Sequence, residues 1–111
     1  MKITNKLKKN TEFKKVYSKG KSFANQDLVL YKLKNNLTCN RIGISVSKRV
    51  GNSVVRSRVT RLIRENFRLI EHTLSAKGFD IVIIARDQIA NKNFYDIKNS
   101  LGKLLKKQEL I

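Results

Sequence analysis

The sequence predicts an α+β fold, with helices packed on one face of a small sheet. Three patterns carry that prediction. "RIGISVSK" (41–48) alternates between apolar and small residues, the period of a strand with one face in a core. "GFDIVIIAR" (78–86) is almost continuously apolar, as in a strand buried on both faces. The stretch 54–74 and the stripe from Phe94 to Leu105 instead space their apolar residues three and four apart, as helices do. At 111 residues the chain makes one domain, 1–111, large enough for a modest core and too small for two.

Taken in order, the opening "MKITNKLKK" (1–9) reads as a basic arm with little periodicity. Asn10 or Thr11 caps a short helix with Phe13, Val16 and Tyr17 on one side and Gly20 as its stop. "DLVLYKLK" is rich in strand formers, and "NNLT" supplies the following turn. In the next strand Ile42, Ile44 and Val46 point to the core. Gly43, Ser45 and Ser47 leave the other face nearly bare, so something flat or extended can lie close to it. Gly51 breaks the strand, and Asn52 or Ser53 caps a helix running to about Leu74. After the buried strand, a short extra strand is expected near 88–91. The last helix opens on Asn93 with Asp96 in its first turn. Its stripe is Phe94, Ile97, Leu101, Leu104 and Leu105, and it ends in lysines that suit the helix dipole.

Charge narrows the function. There are 25 Lys and Arg against 8 Asp and Glu, a formal net charge of +17. Self-repulsion on that scale weakens a compact state and points to a polyanionic partner. A hydrophobic content of 41% argues against a wholly disordered basic tail. Cys39 and His72 are each alone, which excludes an internal disulfide or a cysteine-rich zinc site. No apolar stretch follows the opening lysines and no run is long enough to span a membrane, so a reducing cytoplasm is the expected compartment. The acids Glu12, Asp27, Glu65, Glu71, Asp80, Asp87, Asp96 and Glu109 are scattered. Convergent acid–base or metal chemistry by this chain alone is therefore not expected.

The cations concentrate on one helix. Winding 54–74 at about 100° per residue puts Val55, Val59, Leu62, Ile63 and Ile70 toward the core. Ser57, Arg61, Arg64 and Arg68 fall together on the far side, with Arg58 and Arg56 at its borders. Like-charge neighbours at i,i+3 and i,i+4 cost roughly 0.2–0.5 kcal/mol each in an isolated helix. Arg56 and Arg58 also sit in the first turns, where the dipole disfavours cations by about 0.3–1 kcal/mol. Only Glu65 offers local relief. A solvated face of mixed sign would need no further explanation; a face of one sign does. Guanidinium groups grip phosphate bidentately or stack on bases, which favours nucleic acid over a membrane surface. The helix start beside Gly51 is a further candidate phosphate seat. A helix-turn-helix DNA reader would carry another helix just before this one, where a strand stands instead. Single-stranded RNA binding adds aromatic stacking platforms beside a basic track, and Phe13, Tyr17 and Tyr31 are candidates for these, although each could equally be core.

At this point the chain resembles the protein subunit of bacterial ribonuclease P. That family's hallmark is an "R-hydrophobic-G-hydrophobic-S-V-S-K" strand, a basic-Gly-Asn turn and an Arg-Asn-Arg helix ending in "R-x-I-R". Here those parts read "RIGISVSKRVGNSVVRSRVTRLIRE". "LKKNTEFKKVYSKGKSFANQDLVLY" and "DIVIIAR" extend the similarity over nearly the whole chain. Ser57 replaces the middle Asn of the triplet, and Thr60 replaces a usual Lys. The resemblance implies a ribosomal small-subunit protein domain-2-like fold: a four-stranded mixed sheet and a left-handed βαβ crossover. It also implies binding to ribonuclease P RNA and precursor tRNA, and RNA-catalysed cleavage of the 5′ leader with magnesium held mainly by the RNA. Lys48, Arg49, Asn52, Arg56, Ser57, Arg58, Arg61, Arg64 and Arg68 would then face the RNA subunit. Phe13, Tyr17 and Tyr31 would line the cleft for the single-stranded leader. The rival reading is a ribosomal or general RNA-binding protein with no part in cleavage.

Overall fold

The structure, a computed structural model, describes residues 4–75 and 77–111. Five strands form one mixed sheet: β1 (Thr4–Lys6), β2 (Lys21–Ala24), β3 (Leu28–Lys34), β4 (Asn40–Ser45) and β5 (Phe79–Ala85), in the order β1-β4-β5-β3-β2. β1 and β5 each run parallel to β4, while β3 is antiparallel to both β5 and β2. The helices are α1 (Asn10–Lys19), α2 (Ser53–Ile70) and α3 (Phe94–Lys107). α2 continues through a 3₁₀ turn, Glu71–Thr73, close to the expected end.

β5 is buried on both faces, as its composition requires. Ile81, Ile83 and Ala85 point into the main core, where Leu28 and Leu30 of β3 meet Val59, Ile63 and Phe67 of α2 and Ile97, Leu101, Leu104 and Leu105 of α3. Val82 points the other way, into a smaller cluster with Leu7 and Val16 of α1. The helices therefore do not all share one face. α2 and α3 cover one side as expected, and α1 packs on the other, because residues 13 and 16 need apolar cover that alternate residues of β5 supply.

Capping follows the local chemistry. Asn52 accepts from the Val55 N–H at 3.0 Å and starts α2. Asn93 and Asp96 form a reciprocal box at the start of α3. α1 is started neither by Asn10 nor by Thr11; Glu12 reaches back to accept from the N–H groups of Lys8 and Lys9, at 3.1 and 2.9 Å.

Three further features differ from expectation. Asn25 folds an Asx turn onto Asp27 and Leu28, which lets β2 pair with β3. The extra strand expected near 88–91 is a 3₁₀ turn, Asp87–Asn91. The basic arm is not loose where it is described: residues 4–6 form β1 and Leu7 is buried, making five strands instead of four. Residues 1–3 of the arm lie outside the described residues.

The crossover β4–α2–β5 joins neighbouring parallel strands, and its hand follows from one hydrogen bond. The Ile42 carbonyl accepts from the Leu7 N–H, next to β1, while the Ile42 side chain packs in the α2 core. With β4 running upward and Ile42 facing the viewer, an L-residue points its carbonyl to the right. β1 therefore lies to the right of β4 and β5 to its left, with α2 in front. That connection is left-handed, against the strong right-handed rule and as the resemblance implied.

Candidate nucleic-acid interface

α2 presents the expected ridge. Its core stripe is Val59, Ile63, Asn66 and Phe67, fully buried, with Val55, Leu62 and Ile70 partly so. Ser57, Arg61 and Arg68 are exposed, and Arg56 and Arg64 are half-buried. Among the described residues, Arg61 has one acidic neighbour, Glu65 at 3.9 Å, and Arg49 has Asp87 at 3.8 Å. Both contacts are exposed and too long for strong pairing, so they neutralise little. No ion pair reaches Arg56, Arg64 or Arg68 among the described residues. The chain's own acids leave the ridge cationic.

Two positions on the ridge do something else. Arg58 turns its guanidinium inward and donates to the carbonyls of Ala90 and Lys92, the latter at 3.3 Å. It ties α2 to the 3₁₀ turn before α3. Thr60, where the resemblance implies a Lys, donates its hydroxyl to the Arg56 carbonyl at 2.8 Å. That is a local back-bond with no outward charge. Lys48 and Arg49 are exposed in the turn ahead of α2, and the Asn52 side-chain oxygen is engaged in its cap.

On the opposite face Phe13, Tyr17 and Tyr31 do come together. The Phe13 and Tyr17 rings lie 6.4 Å apart, and Tyr17 meets Tyr31 edge-on at 5.3 Å. Desolvation raises the Tyr17 phenol above its ordinary pKa, a hydrogen bond with Ser45 opposes this, and the Tyr31 phenol adds to the rise. Tyr17 still exposes 39% of its surface. Phe13 and Tyr31 are half-buried, so the open part of the platform is Tyr17 with the edge of Tyr31.

Something flat does lie close to the bare strand face, and it comes from the chain itself. A Cβ on Gly43 would stand 2.5 Å from the Phe13 ring, so Gly43 makes room for Phe13 and not for a ligand. Gly43→Ala must push that ring, and α1 with it, outward. A loss of about 1–3 kcal/mol in unfolding free energy is expected by urea denaturation, and an unchanged midpoint would contradict this packing. Farther along β4 the surface does open. Ser47, Arg49, Ile84, Arg86 and Asp87 line a shallow recess of about 380 Å³ just past the strand ends.

The sequence did not single out Arg41. Its guanidinium grips Asp80 through Nε and Nη2, at 2.8 and 2.7 Å, and Glu12 through Nη1 at 2.5 Å. Asn35 adds a 2.9 Å bond to Asp80. One side chain thus joins β4, β5 and the start of α1, the helix that carries the aromatic platform. Glu12 titrates below the usual carboxylate range, first because of the Lys9 and Lys8 N–H groups and then because of Arg41. Hydrogen bonding to Asp80, opposed by desolvation and aided by both carboxylates, raises the Arg41 pKa. Two acids that look scattered along the chain converge here, as anchors for a cation.

Among the described residues no three acids, cysteines or histidines converge as a metal site, and no helix is long and apolar enough to cross a membrane.

Comparisons with known proteins agree with this geometry. The family described as Ribonuclease P matches residues 1–109. The ribonuclease P protein component of a Thermoanaerobacter species is 53% identical over 105 residues, covering 95% of this chain and 90% of its own. That of Alkaliphilus metalliredigens is 50% identical over 111 residues, covering 100% and 99%. Among solved structures, the RNase P protein of Staphylococcus aureus superposes with a TM-score of 0.87 at 39% identity, covering 95% of each chain. The Thermotoga maritima RNase P protein gives 0.83 at 31%, covering 93% and 96%. With its sheet order, its arginine helix and nearly its whole length accounted for, the chain belongs to the ribonuclease P protein family.

Proposed function

We propose that this chain is the protein subunit of a ribonuclease P ribonucleoprotein, acting in a cytoplasm on precursor tRNA. The observation that carries the reading is the cationic ridge of α2, left unneutralised by the chain's acids, in a member of this family. The ridge sits against the catalytic RNA and screens phosphate repulsion there. The leader passes over Tyr17, Tyr31 and Ser45 toward the recess at Ser47 and Arg49, where stacking and cations hold a single strand without reading much sequence. Cleavage belongs to the RNA and its magnesium ions, and the protein supplies binding, orientation and charge.

The test is reconstitution with ribonuclease P RNA from the same genome. Adding the chain is expected to speed leader removal when magnesium is scarce, because the protein replaces part of the cation screening. Unchanged cleavage, with tight binding to ribosomal RNA instead, would favour a general RNA-binding protein.

A further inference from the structure

A second basic surface lies on the edge of the sheet. β1 pairs with β4 only as far as the Leu7–Ile42 hydrogen bond, and then turns away into α1. Beyond that point no strand lies beside the β4 edge among the described residues. Ile44 lies two residues after Ile42 and so directs its N–H and C=O outward the same way. The open edge floors a groove of about 740 Å³ between the start of α1 and the second half of α2. That volume falls within the range of sites for small organic groups, about 300–1,000 Å³.

The lining has three parts. Ile42, Ile44 and Phe67, on the α2 side of the sheet, make an apolar floor, with Leu7 lining the groove from the α1 side. Lys8 and Lys9 stand on one wall, and Arg64 and Arg68 on the other. The acids present are Glu12 and Glu71, and Glu12 is already held by Arg41. An apolar slot with a free backbone donor and acceptor, between walls of positive charge, suits one kind of occupant. It is a single unstacked nucleotide: base on the floor, base edge on Ile44, phosphates on the walls.

We infer that this groove seats one unpaired nucleotide of the catalytic RNA. The inference rests on the proposed RNA partner and adds a base-binding site to its phosphate contacts. The ridge and the groove share Arg64 and Arg68, so one RNA strand can touch both.

Tethered hydroxyl-radical probing tests it, with the full chain and the matching ribonuclease P RNA. In a Cys39→Ser background, an iron chelate is attached at Lys8→Cys on the groove wall or at Ser57→Cys on the ridge. Position 8 is expected to cut the RNA around one unpaired nucleotide. Replacing that nucleotide by an abasic residue should weaken binding roughly five- to a hundredfold, while an abasic residue at a distant unpaired position should not. Cutting from position 57 with none from position 8 would overturn the groove proposal, keep the RNA reading, and leave the edge to an added peptide strand. An abasic residue without effect would also overturn it. Silence at both positions would remove the RNA reading, and the groove with it.

Discussion

Replacing Arg61, Arg64 and Arg68 together by alanine is expected to weaken binding to the matching ribonuclease P RNA about a hundredfold at about 0.15 M salt. The figure comes from counterion release. Three phosphate contacts at a slope of roughly 0.8 each, referred to 1 M salt, give about two decades. Folded stability should move the other way. Arg61 and Arg64 stand at i,i+3, Arg64 and Arg68 at i,i+4, and each like-charge pair costs roughly 0.2–0.5 kcal/mol. Arg61 and Arg68 are exposed and Arg64 only half-buried, so little packing is lost. A filter-binding titration beside a urea melt checks both signs at once. Weaker binding together with a lower melting midpoint would mean that the arginines hold the helix in place. Arg58→Ala is the contrasting variant. Its guanidinium is held by the Ala90 and Lys92 carbonyls, so stability falls there.

The second large effect concerns Arg41. Arg41→Ala leaves Asp80, whose side chain is 5% exposed, with Asn35 as its one side-chain donor among the described residues. Removing one partner of a buried ion pair costs about 3–5 kcal/mol, a large part of the 5–15 kcal/mol typical of a domain. A loss near 3 kcal/mol by chemical denaturation is expected, because Asn35 remains. The start of α1 also loses its tie to the sheet, so the Phe13–Tyr17–Tyr31 platform should loosen. The Glu12 arm of the clamp adds a pH dependence. Its folded-state pKa lies below the unfolded value, so its contribution is present above the ordinary carboxylate range and is lost as pH falls through the lowered value. Acidification should therefore narrow the gap between parent and Glu12→Gln. A gap that stays constant down to pH 3 would contradict the anchor role.

Periodicity explains which parts of the fold were visible in the sequence. β4, β5, α2 and α3 each carry a repeat long enough to show, and their caps Asn52 and Asn93 follow from residue type. β1 and β2 do not show. "TNK" and "KSFA" are short edge strands without an apolar repeat, and they exist because β4 and β3 offer unpaired edges. The side chosen by α1 was equally hidden, since a strand apolar on both faces accepts helices on either. The hand of the crossover entered only through the family resemblance, because nothing in residue spacing encodes it.

At the site, the ridge was legible because like charges at helical spacing need an outside partner. Arg58 has the same spacing as its neighbours, and only the position of the 87–91 turn shows that its cation is engaged. Gly43 reads as open space until the Phe13 ring is placed over it. Arg41, Glu12 and Asp80 stand 29 and 39 residues apart, so their convergence belongs to the topology.

If nucleotide backbones cover the α2 guanidinium groups, the slope of log affinity against log salt for the ribonuclease P RNA must differ between the parent and the Arg61/Arg64/Arg68 variant. The slope should become shallower by roughly 2–3 in the variant. Equal slopes would mean that those arginines meet no phosphate, and the assignment of the ridge to RNA would fall.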